Sequence, residues 1–586
     1  MPFRYQETHL SKKSIRLFSA LRASVLEKYS KKSAFQDLIA GCIVGLVALP
    51  LAMALGIATG LSPQAGLYTA IVAGFVAALC GGSRFQVTGP TAAFVVILAP
   101  IVHDHGVGGL LLASFMAGFI LIVMALSGFG RLIQFIPHTV TTGFTSGIAV
   151  VIAVIQVKDF LGLQFQTNPE SFRQRVSEIV HSLATFQGSE AAIGVLTLGV
   201  LIFWPKVTKR IPAPFVALSI AAVAAAVAQS LWPSFSVATI GSRFSTVIDG
   251  VTVWGIPQQL PQFEWPWNLL GVDGTRLGLS LGIVEDLLPA AFAIAMLGAI
   301  ESLLSAVIAD GLTKTKHDSD TELFAQGLGN IFSPLFGGFA ATGAIARTAT
   351  NIRFGAQSPL AAIFHAVFIL FSILLFAPWL SYLPMSSLAA LLLMVAWNIS
   401  ERHQFVHIVK VAPRSDIAVL LTCFGLTVMV DMIAGVAVGI GLASLLFIRR
   451  MSEMTKGQAR STQEHSRIQR KVPSDILLYE ISGAMFFGAA QKAVEAIATS
   501  GSKAKIVIVD LENVLTMDTT GLVALESMVD TLRRQHRKIV LSGAHDESLD
   551  LIHRSPILRE TSDLRWTHNL NDAITTGEKL LETKHS

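Results

Sequence analysis

Long apolar runs separated by short polar or charged connections fill most of this chain, and the pattern changes character near Lys471. The runs lie at Asp37 to Ala58, then at about residues 65–79, 110–126, 137–157, 191–204, 215–231, 285–311, 323–339, 360–376 and 382–397, with a final pair over 416–447. Most are long enough for an α-helix to cross a hydrocarbon layer of about 30 Å. Thr91 to Val102 is too short and predicts a half-helix, with Pro90 suited to its first turn and Thr88 placed to cap it. Pro50, inside VALPLAMALG, removes a helix donor and predicts a kink there. That makes the stretch from Pro50 through Leu51, Ala52 and Met53 a candidate pocket wall. After Lys471, ILLYEISG, KIVIVDLENV and KIVLSGA read as strands, and QKAVEAIATS and TTGLVALESMVDTLRRQHRK as helices, which predicts a small α/β domain.

Composition agrees with a membrane protein. The 586 residues are 52% hydrophobic and 14% charged, with a mean hydropathy of +0.60, outside the range of ordinary soluble domains. Met1 to Lys32 is basic and polar and lacks a signal-peptide core, so the first apolar run is expected to act as its own targeting signal. Part of that tail, LSKKSIRLFSALRASVLEKYS, reads as an amphipathic helix on the membrane surface. The net charge of +5 is modest, and its cations cluster at Arg4 to Lys32 and Arg449 to Lys471 rather than forming a nucleic-acid surface. Positive-inside logic assigns both clusters, and with them the α/β domain, to the cytoplasm. Cys42, Cys80 and Cys423 lack disulfide or zinc spacing and read as packing residues. The expected organisation is a basic N-terminal segment over 1–36, a transmembrane domain over 37–448, a basic linker over 449–471 and the α/β domain over 472–586.

The chemistry concentrates in ATGAIARTATNIR, residues 341–353. Arg347 and Arg353 sit there between apolar stretches, and an arginine at bilayer depth costs at least about 2.5 kcal/mol unless it faces protein, water or an anion. Small residues around Arg347 leave backbone amides open, which together suggests an anion site. The stretch has a counterpart: GGSRFQVTGPTAAF and GGFAATGAIARTAT both run from Gly-Gly through an extended linker to a Thr-Gly that opens a short helix. The two Thr-Gly pairs are offset on the order of 250 residues, as are the first helices of the two halves, over about 37–231 and 286–448. Crossing parity gives the short helices opposite directions, so their N-termini meet near mid-membrane, as in secondary transporters with inverted repeats.

VALPLAMALG, TGPTAAF, GAIESLLSAVIADG and the Arg347 stretch, followed by DLENVLTMDTTGL, resemble the SulP family of anion transporters with a C-terminal STAS domain. The resemblance covers nearly the whole chain, and its wording lies nearest the bacterial C4-dicarboxylate transporters of that family. It implies an α-helical polytopic membrane protein of fourteen transmembrane segments in a seven-plus-seven inverted repeat with two half-helices, plus a cytoplasmic α/β STAS domain. It further implies core and gate domains moving in an elevator-like alternating-access cycle, a homodimer, and a bacterial inner-membrane location. The substrate site carried over is Thr88, Gly89, Pro90, Thr91 and Ala92 facing Ala344, Ile345, Ala346, Arg347 and Thr348, with Leu51, Ala52 and Met53 beside them. Glu301 falls where relatives place an acid and is the candidate proton carrier. Ile345 replaces a polar residue of some bicarbonate-transporting relatives, which speaks against a bicarbonate or sodium-coupled reading. The expected activity is therefore proton-coupled uptake of C4-dicarboxylates such as succinate, fumarate and aspartate. An inorganic-anion carrier for sulfate, chloride or bicarbonate is the rival, and a membrane anion sensor signalling to a partner of the STAS domain is the other class.

Each reading has a plainer competitor. Arg347 and Glu301 could form a structural ion pair. His103, Asp104 and His105 suggest a metal only weakly, since a solvated loop after a half-helix explains them, and KTKHDSDTE lacks calcium-loop spacing. Thr519 is a candidate phosphorylation site, but Asp518 or Thr519 as a helix N-cap accounts for the same residues. No nucleophile-base pair, metal cluster or phosphate loop points to an enzyme, and neither cofactor nor metal is expected.

Overall fold

Helices occupy the apolar runs in the computed structural model, which describes residues 15–27, 29–131, 137–167, 169, 171–208, 210–248, 251–454, 456–460, 472–485 and 504–582. The chain divides into two compact units, Met1–Ile440 and Gly441–Ser586. The first contains α1 (Ser19–Leu26), α2 (Lys31–Ala58), α3 (Pro63–Cys80), β1 (Thr88–Gly89), α4 (Ala92–Leu126), α5 (His138–Leu161), α6 (Phe172–His181), α7 (Gly188–Val207), α8 (Ala213–Leu231) and α9 (Ile240–Arg243). The hairpin β2 (Ser245–Ile248) and β3 (Val251–Trp254) follows, then α10 (Leu281–Thr313), α11 (Ser319–Leu335), β4 (Thr342–Gly343), α12 (Ile345–Arg353), α13 (Leu360–Leu380), α14 (Met385–Ile399), α15 (Arg402–Val411), α16 (Arg414–Met429) and the start of α17 (Met432–Met454), which continues into the second unit. Among the described residues nine helices are long and apolar enough to cross a membrane.

Three local expectations change. The predicted half-helix is the first arm of α4, which begins at Ala92 and runs to Gly106, where φ 73 and ψ −174 break the helix. Glycine alone takes that conformation readily. His103, Asp104 and His105 thus close a helical arm rather than occupy a loop, and His103 Nδ1 lies 3.0 Å from Asp104 Oδ1 in an exposed pair. Pro50, by contrast, leaves its helix unbroken. α2 stays helical through it from Lys31 to Ala58. The part of the N-terminal segment expected on the membrane surface packs on protein: Ala20 and Ser24 are buried, Glu27 pairs with Arg84, and the Arg16 amide donates to Thr321. The Arg84 guanidinium holds the Glu27 carboxyl below the usual carboxylate range.

In the second unit a five-stranded sheet has the order β5 (Lys456–Arg460), β6 (Ile476–Met485), β7 (Ile506–Met517), β8 (Lys538–Ser542) and β9 (Leu564–Thr567), with β5 antiparallel and the others parallel. Helices α18 (Thr519–Arg534), α19 (Asp546–His553) and α20 (Leu570–Glu582) complete it. Alternation along β6 and β7 sends Tyr479, Val507 and Val509 to one buried cluster with Leu525 and Val529, and Leu478, Ile506 and Ile508 to the other with Ala573 and Ile574. Burial pushes the Tyr479 hydroxyl up to about 12. β5 falls within the stretch expected as a basic linker, whose polar composition carries no strand pattern. The helix expected over QKAVEAIATS lies outside the described residues.

Candidate functional site

The two Thr-Gly pairs singled out by the repeat are bonded to each other. β1 and β4 run antiparallel with Thr88 opposite Gly343 and Gly89 opposite Thr342. Opposed residues in such a ladder are about 5 Å apart. Because α4 starts three residues after β1 and α12 two residues after β4, the pairing holds both helix N-termini side by side, with the helices leaving in opposite directions. Neither helix has a side-chain cap: Ala344 has none to offer, and Thr91 at the N-cap of α4 bonds elsewhere. Their first-turn amides are left with partial positive charge aimed into the space between them.

Thr88 is not the cap the sequence suggested. Pro90 has no N–H and keeps the chain extended, so the helix begins only at Ala92 and Thr91 becomes its N-cap. The Thr88 hydroxyl accepts from Gln326 Nε2 at 2.7 Å and is buried behind the strand. Gly89, Pro90 and Ala92 are buried, Thr91 is half-buried, and Ala344 is buried with its amide donating to the Val87 carbonyl at 2.9 Å. Thr348 is equally buried, and its hydroxyl accepts from the Val87 amide at 3.1 Å and from Ser305 at 3.2 Å. Ile345 and Ala346 are exposed.

Arg347 is 2% exposed. Its Nη2 donates to the Pro90 carbonyl, so the cation of the second half reaches the turn that opens the helix of the first. Gly89 makes room: a Cβ at that position would stand 2.6 Å from Arg347 Nη1. Arg347 Nε is buried with no hydrogen-bond partner among the described residues. The competing structural explanation, an ion pair with Glu301, is not what forms: Glu301 accepts from Thr91 Oγ1 at 2.9 Å, and no ion pair joins it to Arg347. Ala52 and Met53 are buried and Leu51 half-buried on α2, where the Ala52 carbonyl packs against Gly66. Arg353 closes α12.

The sequence reading missed the polar face of α11. Glu322 accepts from the amides of Gly82 and Ser83 at 3.0 and 2.9 Å, and from Gln326 Nε2 at 3.0 Å. Asn330 pairs with Ala341 through both its amide nitrogen and oxygen, at 2.8 Å each, and Ser333 donates to the Phe339 carbonyl at 2.8 Å. One helix therefore holds the extended linkers of both repeats. The signal was present as Glu322, Gln326 and Asn330 at spacings of four, which share a helix face. On the other side Ser302 of α10 accepts from the Gly343 amide at 3.0 Å. In the second unit, Asp518 is the N-cap of α18, accepting from the Gly521 amide at 2.8 Å, and Thr519 is the exposed first helical residue. Among the described residues no group of His, Cys, Asp or Glu could hold a metal.

A family description, the sulfate permease family, matches residues 35–423, and the STAS domain matches residues 467–572. The chain belongs to the sulfate permease family. It is 39% identical over 536 residues to "Putative sulfate transporter YvdB" of Bacillus subtilis (strain 168), covering 91% of this chain and 95% of that protein. It is 29% identical over 529 residues to the bicarbonate transporter BicA of Picosynechococcus sp., covering 87% and 88%. The structure of the murine Solute Carrier 26 family member A9 anion transporter in the inward-facing state superposes with a TM-score of 0.82 over 99% of this permease and 96% of that chain. At 17% identity that likeness speaks for the fold alone. This permease is a multi-pass membrane anion transporter with a helical transmembrane domain and a C-terminal α/β STAS domain, and it is not an enzyme. The dicarboxylate expectation finds no support in these relatives, which carry sulfate and bicarbonate names.

Proposed function

We propose that this permease moves a small multivalent oxyanion, with sulfate the first candidate, and that the anion sits between the N-termini of α4 and α12 in front of Arg347. The observation that carries this is the bonded β1–β4 pair, which aims two uncapped helix ends at one space and backs them with a buried guanidinium. A helix N-terminus favours anions by its dipole and open amides, and a full positive charge adds selectivity for higher anionic charge. In this reading Thr88, Gly89, Pro90, Thr91 and Ala92 with Ala344, Ile345, Ala346, Arg347 and Thr348 form the two walls, Thr88 and Thr348 acting from behind as supports. Leu51, Ala52 and Met53 would complete a third side. Glu301 carries the coupling proton.

A C4-dicarboxylate is the second reading. It is favoured by the exposed apolar pair Ile345 and Ala346 beside the site, which suits a hydrocarbon backbone between two carboxylates. The wider proposal keeps fourteen spans, domain limits near residues 37, 448 and 472, a homodimer, and a bacterial inner membrane with the STAS domain cytoplasmic. The deciding experiment is uptake of radiolabelled sulfate into proteoliposomes, competed by succinate, fumarate, aspartate and bicarbonate. Sulfate uptake that excess succinate leaves intact is expected, and the reverse ranking selects the dicarboxylate. Binding without flux would support the sensor. Arg347→Ala should abolish uptake in protein that still inserts, and retained uptake would remove the site assignment.

A further inference from the structure

One hydrogen bond at this site has a direction that depends on a proton. Thr91 occupies the N-cap of α4, where a threonine ordinarily accepts from a first-turn amide. Here it makes no cap and donates its hydroxyl to Glu301 Oε2 at 2.9 Å. An ionised carboxylate can only accept, so the bond must run from Thr91 to Glu301. A protonated carboxyl group has an O–H to give. It would donate to Thr91 Oγ1, and the threonine's own proton would then point away from Glu301, at the mouth of α4.

We propose that Thr91 couples the proton to the anion: protonation of Glu301 reverses the Thr91–Glu301 hydrogen bond and turns the Thr91 hydroxyl onto an anion held at the α4 N-terminus. The inference rests on the anion site described under Proposed function. The incoming proton ends on a Glu301 carboxylate oxygen, while Thr91 keeps its proton and changes only where it points, so one proton is bound for each reversal. Anion and proton then strengthen each other's binding by the same factor, as linkage requires. Thr91 is a positioning residue for coupling as well as a donor.

The surroundings of Glu301 make it the titrating partner. From α12, Arg347 is the charged group whose field reaches it. Alongside, Ser302 and Thr342 are uncharged and bonded to each other at 2.7 Å. The acids of α11 lie in its first turn, Glu322 on the Gly82 and Ser83 amides and Asp320 beside Arg131. His103, Asp104 and His105 close the first arm of α4, and the other acids of α10 are Glu285 and Asp286 near its start and Asp310 near its end, bonded to His317.

The test is the KM for radiolabelled sulfate in proteoliposomes across a pH series, with radiolabelled succinate run in parallel. The wild-type KM should fall as pH falls. Glu301→Gln presents a permanent N–H donor to Thr91 and should hold KM near the wild-type acid value at every pH. Thr91→Val alters a residue of the site wall and should raise KM at every pH, but least at the alkaline end, because there the hydroxyl is committed to Glu301. At the acid end it should raise KM about tenfold, the worth of one hydrogen bond to a charged group. Thr91→Ser should restore the wild-type profile and controls for packing. A Thr91→Val loss that is equal at all pH values makes the hydroxyl merely structural or a constant donor and overturns the proposal. A wild-type slope in Thr91→Val also overturns it, since the charge of Glu301 alone would then explain coupling. So does a flat wild-type profile. Arg347→Ala separates the levels: wild-type KM in that variant removes the site itself, whereas its loss beside an unaltered Thr91→Val profile removes only the coupling.

Discussion

A single arginine decides much of the chemistry, and a single glycine decides where that arginine goes. Gly89 has no side chain in the volume that the Arg347 guanidinium fills, and its backbone is not in the left-handed region. Gly89→Ala is therefore compatible with the strand but not with the guanidinium, whose Nη1 lies 2.6 Å and Cζ 3.4 Å from the added methyl. The tip of a flexible side chain moves more easily than paired backbone. Gly89→Ala is expected to fold and insert with wild-type yield while its sulfate KM rises about tenfold, the worth of one displaced charge-assisted contact. An unchanged KM would mean that the guanidinium does not touch the anion. At this scale the sequence was informative about identity and silent about partnership. Arg347 and Glu301 were conspicuous as charges among apolar residues, and an ion pair between them was the plainer competitor to an anion site. The bond that forms instead joins Thr91 to Glu301 across 210 positions of chain, a distance that no local pattern encodes.

At the scale of elements, α11 organises the site without entering it. Glu322, Asn330 and Ser333 are 2% exposed or less, and each satisfies backbone groups of the extended linkers that β-pairing over only two residues leaves open, while Gln326 donates to the Thr88 hydroxyl. Asn330 replaces a missing strand for Ala341, meeting both its N–H and its C=O. Asn330→Leu keeps the branched heavy-atom outline and strands both groups, each costing about 1–3 kcal/mol when buried. The variant is expected to lose several degrees of thermal midpoint in detergent, and to lose sulfate affinity in proportion as the β1–β4 pair loosens. A wild-type midpoint would show that the linker needs no such template. Hydropathy made the run over 323–339 legible as a span, because nine of its seventeen residues are hydrophobic. It hid the polar face, since a period of four among apolar residues signals buried polar contacts only when the fold supplies the linkers to be held. The repeat was legible for the opposite reason: Gly-Gly and Thr-Gly are local backbone requirements, written in the sequence wherever the chain must be extended and close-packed.

For the whole molecule, the number of charges moved per cycle follows from the residues that can carry them. Protein charges return to their starting positions at the end of a cycle, so the accumulation ratio depends only on what crosses. If Glu301 is the sole proton carrier, sulfate crosses inward with one proton and the net transported charge is one negative. An interior-negative potential then opposes uptake, by about 2.3 kcal/mol per 100 mV, which is roughly a 50-fold change in the accumulation ratio. In proteoliposomes clamped by a potassium diffusion potential, with a fixed inward proton gradient, sulfate accumulation is expected to be lowest when the interior is negative and to rise as the potential is set to zero and then positive. Addition of a protonophore at zero potential should release the accumulated sulfate. Accumulation that ignores the potential means that two protons cross with each sulfate, which Glu301 cannot provide alone, and accumulation driven by a negative interior requires three or more. Exchange of one divalent anion for another would ignore both potential and protonophore, leaving Glu301 to hold Thr91 in place and nothing more.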